Sequence, residues 1–301
     1  MSRVLVTGGA GFLGSHVADA LAEAGHEVSL FDMQSSPWRS PGHREILGDI
    51  RDADAVASAL AGQDAVIHLA ALADLEAGLE RPRDTLEINV RGTLNVLEGM
   101  RTHGVPRLLF ASTVYVYSRH GGFYRCSKQA AESYIEEYAR WSGIEYTILR
   151  YGSLYGPRAD ASNGVYRLIR KALRGEAIHH HGSPADRREY IHVSDAARLS
   201  VRTLAPEYAN RHIVITGHDA LRVGDLFGMF AEMLGRPVEV SYEYPEETEM
   251  AGERRGHYGQ TPYAYTPRPG HKLTAGEYVD MGQGLLQVFE EIDRELGNHG
   301  H

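Results

Sequence analysis

Five residues of strand-like sequence, Arg3 to Thr7 (RVLVT), lead directly into GGAGFLGSH and then into a helical run, VADALAEAG. A buried strand, a glycine turn and a helix in immediate succession restrict the chain to very few beginnings. Gly9, Gly11 and Gly14 satisfy GxGxxG, and Gly8, Gly11 and Gly14 also satisfy GxxGxxG. Glycine at these places permits a tight turn and lets the backbone approach a pyrophosphate, whose charge then rests on the helix N-terminus. The strand–turn–helix setting is the one this motif requires. Gly8, Gly11, Phe12, Leu13 and Gly14 are therefore read as cofactor-binding; the alternative is a glycine turn that joins two core elements without ligand. The next strand-like run, EVSLF, ends in Asp32, 18 residues after Gly14. A carboxylate there accepts hydrogen bonds from an adenosine ribose and repels a 2′-phosphate. No Arg follows directly, so the expected cofactor is NAD rather than NADP.

Strand-like and helical runs alternate through the first half. RVLVT, EVSLF, REILG, AVIHLA, RLLFAS and EYTILR are separated by helical stretches such as DADAVASALAG and TLEINVRGTLNVLEGMRTHG. This alternation predicts an α/β fold, a Rossmann-type doubly wound parallel sheet with helices on both faces. Ligands of such sheets bind beyond the carboxyl ends of the strands. Attention falls on Gly8 to Gly14, Asp32, Asp49-Ile50, Ala70 to Ala73, Ser112-Thr113 and Tyr151 to Ser153. After Arg150 the pattern loosens into helices mixed with short strands. The expected division is 1–150 as the NAD-binding domain, to which some later chain returns, and 151–301 as a smaller mixed α/β substrate domain. A net charge of −9 argues against a nucleic-acid binder. One cysteine, Cys126, excludes an intrachain disulfide. No apolar run approaches the ~20 residues of a membrane span and no signal peptide precedes the first strand, so the expected compartment is the cytoplasm.

Tyr124 and Lys128, in GGFYRCSK, stand out because the chain has only three lysines, with Lys171 and Lys272, against 17 tyrosines. A Tyr with Lys four residues later is then expected roughly 0.17 times by chance. On a helix this spacing puts both on one face. A nearby ammonium favours the phenolate and is expected to lower the Tyr pKa, making Tyr124 a candidate acid/base.

Together TGGAGFLGSH, the Asp ending the second strand, GDIRD, VIHLAA, INVRGTLNVLE, FASTVYVYS, YRCSK, LRYGSLYGPR and RREYIHVSDAA resemble, in order, the extended short-chain dehydrogenase/reductases, the NAD-dependent nucleotide-sugar epimerases and dehydratases. The resemblance is dense over about residues 3 to 200. It implies Tyr124 as catalytic base, Lys128 on the nicotinamide ribose, and Thr113 on the sugar hydroxyl under oxidation, with Ser112 beside it. Asp49 and Ile50 would border the adenine, and Ala70, Ala71 and Asn89 would line the cofactor groove. Arg188 would grip the substrate diphosphate, a task suited to its planar fork, with Arg187 adjacent as a substitute. Ser153 stands where relatives commonly place a substrate-contacting Asn. In relatives, helices matching about Asp84 to Thr102 and Cys126 to Trp141 pair into a four-helix homodimer interface.

The departures bear on the reaction. Val114 and Tyr115 follow Thr113 where sugar 4,6-dehydratases carry Asp-Glu, and where decarboxylases usually keep a Glu at the second place. The loop Ser118 to Phe123 is much shorter than in relatives. Tyr242 to His271 does not match the usual C-terminal segment and reads as a long loop of the kind that forms lids; Arg254 and Arg255 could reach a diphosphate from it, and Glu246, Glu247 or Glu249 could supply an acid. The expected function is NAD-dependent C4 epimerisation of a nucleotide-diphosphate sugar through a 4-keto intermediate. The alternatives are one-way reduction of a 4-keto sugar nucleotide, less favoured dehydration, and a non-catalytic dinucleotide-binding protein. His179 to His181 are expected in a surface loop without metal, His68 as a satisfied core histidine, and Cys126 as unreactive on the Tyr124 helix.

Overall fold

The computed structural model of the protein describes residues 1–118, 121–243, 269–274 and 276–297. In chain order the elements are β1 (Arg3–Thr7), α1 (Phe12–Glu23), β2 (Glu27–Asp32), β3 (Arg44–Leu47), α2 (Ala53–Leu60), β4 (Ala65–His68), α3 (Leu75–Glu80), α4 (Pro82–Leu86), α5 (Gly92–His103), β5 (Arg107–Thr113), α6 (Gly122–Ser142), β6 (Glu145–Tyr151), β7 (Ser153–Tyr155), α7 (Gly164–Arg174), β8 (Ile178–His181), β9 (Arg187–His192), α8 (Val193–Arg202), β10 (Arg211–Ile215), β11 (Ala220–Arg222), α9 (Val223–Leu234), β12 (Val240–Glu243), β13 (His271–Leu273) and α10 (Met281–Gly297).

The six apolar runs of the first half are all strands of one eight-stranded sheet, in the order β13-β10-β6-β5-β4-β1-β2-β3. Every neighbouring pair is parallel. Parallel strands need crossover helices, which cover both faces, so the central strands are apolar without alternation. β4 and β5 are buried along their whole length. On one face α1 and α8 close a core with Val17, Leu21, Ala196 and Leu199. On the other, α2, α5 and α6 supply Leu60, Val96, Leu97, Met100 and Ile135. Strand order reverses direction between β1 and β4, which makes that junction the switch point where a ligand crevice opens.

β10 and β13 extend the large sheet although they follow residue 150. A three-stranded sheet, β11-β9-β7, and a two-stranded one, β12-β8, belong to the second half. There α7, α9 and α10 bury Ile169, Phe230, Leu285 and Ile292 in a third core.

Two local expectations differ from the structure. The run from Thr85 to Gly104 is broken: α4 and α5 are joined by a turn of π-helix, Glu87–Arg91. A Cβ on Gly92 would lie 2.9 Å from Ile50 Cγ2, so only glycine admits this approach. His179 to His181 form a strand rather than a loop. β8 pairs with β12, where His179 Nδ1 meets Ser241 Oγ at 2.6 Å and His181 lies 2.9 Å from Glu243.

Candidate active site

The glycine turn lies at the switch point. Gly8 has φ of +72°, and a Cβ there would stand 2.8 Å from Ala70 N, in the loop after β4. A Cβ on Gly14 would overlap the Gly8 carbonyl oxygen at 2.0 Å. α1 starts at Phe12 with Gly11 as N-cap, which has no side chain to satisfy the first-turn N–H groups. Those of Phe12, Leu13 and Gly14 are thus available to an anion. Asp32 braces the turn, Oδ2 accepting from Ala10 N at 3.0 Å and Oδ1 from Gln34 N at 3.2 Å. A carboxylate has about four acceptor sites, so lone pairs remain for ribose hydroxyls. A crevice bare of side chains at a helix N-terminus, with a carboxylate one strand away, fits a dinucleotide.

Other expected cofactor residues are placed differently. Ala70 borders the glycine turn at Gly8, its N–H donating to Thr7 Oγ1 at 3.3 Å, and Ala71 follows it in the loop after β4. The Asp49 carboxylate is engaged by Arg51, with Nη2 at 2.5 Å, and this hydrogen-bonded cation holds its pKa below the usual carboxylate range. Ile50 is buried, and its carbonyl accepts from Asn95 Nδ2 at 2.9 Å. The Asn89 amide is engaged by protein groups. Oδ1 accepts from Leu72 N at 2.7 Å, while Nδ2 donates to Leu72 O at 3.1 Å and to Ser127 Oγ at 2.9 Å. It ties the loop after β4 to α6. His68 is a satisfied core residue, between Thr7 Oγ1 at 2.6 Å and Thr93 Oγ1 at 3.1 Å; burial lowers its pKa to about 3.

Thr113 ends β5, and α6 begins at Gly122, so Tyr124 occupies its first turn with Lys128 one turn on. The Thr113 hydroxyl accepts from Tyr115 N at 3.2 Å and keeps its own proton to donate. Lys128 is 2% exposed, its Nζ 4.7 Å from the centre of the Phe110 ring and 5.7 Å from that of Tyr124. The expected electrostatics are corrected. Burial pushes the Tyr124 phenol above its ordinary value, with Tyr115 adding to the rise, and the same desolvation lowers Lys128 to about 7. Desolvation penalises both charged forms. The Ser112 hydroxyl donates to Glu132 Oε1 at 2.5 Å.

β9 distinguishes the two adjacent arginines. Side chains alternate along a strand, so Arg188 and Tyr190 share one face while Arg187 and Glu189 share the other. Tyr190 is in register with Ser153 on β7, which places Ser153 on the Arg188 face. The Tyr190 phenol is within electrostatic reach of both Arg188 and Tyr115, and Tyr115 in turn acts on Tyr124. Arg188, Tyr190 and Ser153 therefore share one face of the β7–β9 pair. On the opposite face Glu189 binds Lys272 at 3.2 Å. Arg254, Arg255, Glu246, Glu247 and Glu249 lie outside the described residues, as do Arg119 and His120 of the short loop.

Sequence reading passed over Tyr190 and a polar group behind α6, in which Glu132, Arg150 and His212 are buried and Tyr117 is exposed. Glu132 follows Lys128 by four residues, so extending the Tyr–Lys spacing by one more turn finds it. Arg150 carries no such local signal, since it stands in an otherwise apolar strand run.

The sequence pattern of the family described as "NAD dependent epimerase/dehydratase family" matches residues 4–216. The chain is 33% identical over 268 residues to a putative UDP-glucose 4-epimerase of Methanocaldococcus jannaschii, covering 82% of this chain and 87% of that one. It is 31% identical over 247 residues to a UDP-N-acetyl-alpha-D-glucosaminuronate decarboxylase of Bacillus cytotoxicus, covering 72% and 75%. Among solved structures, a UDP-glucose 4-epimerase of Thermotoga maritima with UDP-glucose superimposes with a TM-score of 0.80 at 27% identity, covering 98% of this chain and 99% of that one.

Proposed function

The chain belongs to the NAD dependent epimerase/dehydratase family, and from that premise we infer that it is an NAD-dependent nucleotide-sugar C4 epimerase acting on a UDP-hexose. One observation carries the choice of reaction within a family that also contains decarboxylases and dehydratases. Val114 and Tyr115 follow Thr113, so the position from which a carboxylate would move further protons holds an alkyl group and a phenol. Epimerisation needs no such group, because oxidation and return reduction at C4 use the same residues.

Tyr124 takes the proton of the C4 hydroxyl and later returns it, while Thr113 donates a hydrogen bond that holds the oxygen in place. Gly8 to Gly14, Asp32 and Lys128 would hold NAD, Lys128 at the nicotinamide ribose, and the bound cofactor would supply the hydride acceptor and donor for C4. Arg188 holds the diphosphate while the sugar turns over, and Ser153 and Tyr190 line the same cleft. We assign the cofactor to residues 1–150 with the returning strands β10 and β13, and the sugar nucleotide to the remainder.

Mass spectrometry tests the reaction directly. Offered UDP-glucose or UDP-glucuronate, the protein yields a C4 epimer of unchanged mass. A product lighter by water or by carbon dioxide would replace epimerisation with dehydration or decarboxylation. Unaltered substrates, with turnover only of a 4-keto sugar nucleotide and reduced cofactor, would establish the reductase reading.

The strand alternation of β9 makes a sharper demand. Arg188→Ala is expected to raise KM for UDP-glucose about tenfold or more, since a hydrogen bond to a charged group contributes about 1.5–3 kcal/mol. Arg187→Ala is expected to change KM by less than about twofold. Equal effects in steady-state kinetics would reject the assignment.

The homodimer is also proposed. Leu86, Tyr134 and Trp141 are 55%, 47% and 68% exposed on the helices expected to pair. Apolar area at such positions is what a two-fold interface covers. Light scattering at micromolar concentration should give twice the chain mass; a monomer removes this claim.

A further inference from the structure

Glu132 lies one helical turn beyond Lys128, on the same buried face of α6. It is 2% exposed and its partner Arg150 is fully buried. Arg150 grips it with both prongs of the guanidinium, Nε donating to Oε1 at 3.0 Å and Nη2 to Oε2 at 2.6 Å. Ser112, at the end of β5, donates to the same Oε1. Arg150 also donates to the Tyr117 hydroxyl at 2.5 Å and lies 2.9 Å from His212 Nδ1; the far nitrogen of His212 is 3.1 Å from Glu136. Among the described residues, the charged and titratable groups around Lys128 are Tyr124 and Glu132 on its own helix, His68 on β4, Tyr115 after β5, and Arg150 on β6 beyond Glu132. One deeply buried carboxylate thus stands between two deeply buried cations, Arg150 in contact with it and Lys128 one helical turn away within its electrostatic reach.

We propose that Glu132 is a positioning residue for Lys128: its carboxylate, shared with Arg150, is the counter-charge that holds the ammonium protonated and, through Ser112, keys the catalytic end of α6 to the end of β5. The sharing is unequal. A guanidinium does not give up its proton inside a protein, whereas a buried lysine does. Any loss of the common negative charge therefore falls on Lys128. Burial already brings Lys128 to about 7, against which Glu132 pulls upward, so the counter-charge decides its state at neutral pH. Arg150 acts in the opposite sense, drawing the carboxylate's field to itself.

The inference rests on Lys128 being the group that serves Tyr124 and the cofactor ribose, so its test avoids turnover. The chain has three lysines, and Lys171 and Lys272 are exposed, so ε-¹³C-lysine NMR of the protein as purified gives one signal set apart from two ordinary ones. The Lys128 signal is expected to titrate near neutrality. In Glu132→Gln, which keeps the shape and removes the charge, the Lys128 midpoint falls by about one unit or more. In Arg150→Met it rises, because Glu132 is released toward Lys128. A midpoint in Glu132→Gln at or above wild type overturns the proposal. So does a downward shift in Arg150→Met, and either variant decides alone if the other does not fold. An epimerase reading that failed would leave both shifts in place.

Discussion

Replacing Tyr124 with Phe is expected to cut turnover of UDP-glucose by about 10²- to 10⁴-fold while NAD remains bound. Phe keeps the ring whose face Lys128 approaches at 5.7 Å and removes only the atom that carries the proton. The loss falls on kcat, because the diphosphate grip assigned to Arg188 is untouched. Cofactor content of the purified variant, read by absorbance after denaturation, separates this from a binding defect. Activity within a few-fold of wild type would end the assignment. The site must also lower a phenol pKa that burial alone raises. A cation beside it is therefore required for the proton transfer, not an accessory to it.

Gly14→Ala is expected to weaken NAD binding by about tenfold or more. The added Cβ would stand 2.0 Å from the Gly8 carbonyl oxygen and 3.0 Å from Gly9 Cα, backbone atoms that cannot rotate aside. The turn must open, and overpacking of this kind costs about 1–3 kcal/mol, each ~1.4 kcal/mol being a factor of ten. Gly228→Ala is the control, because nothing lies within 4 Å of its added methyl in the middle of α9. Ala improves helix propensity there, so the melting temperature stays level or rises. Isothermal titration with NAD compares the two; equal affinities would mean that the turn does not determine the crevice.

Much of the site was legible because its parts are local. Gly8 to Gly14, Asp32 and the Tyr124–Lys128 pair each announce themselves within one strand, one turn or one helix face, where residue type and spacing carry the geometry. Asn89, Ser112 and Asp49 were assigned by position alone, and position does not say where a side chain points. Asn89 meets Leu72 and Ser127, and Ser112 meets Glu132, across elements up to 38 residues apart. The close approach at Gly92 depends on Ile50, brought from the loop after β3.

The amino-acid sequence by itself determined the doubly wound sheet and the strand–glycine turn–helix at its switch point, and it singled out Tyr124 and Lys128 as the candidate pair. Apolar runs that are too short for helices must be strands, and a strand–glycine turn–helix unit has one place for a pyrophosphate. Only the tertiary structure decided which of two adjacent arginines shares a strand face with Tyr190 and Ser153, which direction burial drives Tyr124 and Lys128, and that Arg150 and Glu132 stand behind them. Those questions turn on desolvation and on partners distant in the chain. Neither exists until β5, β6 and α6 are packed together.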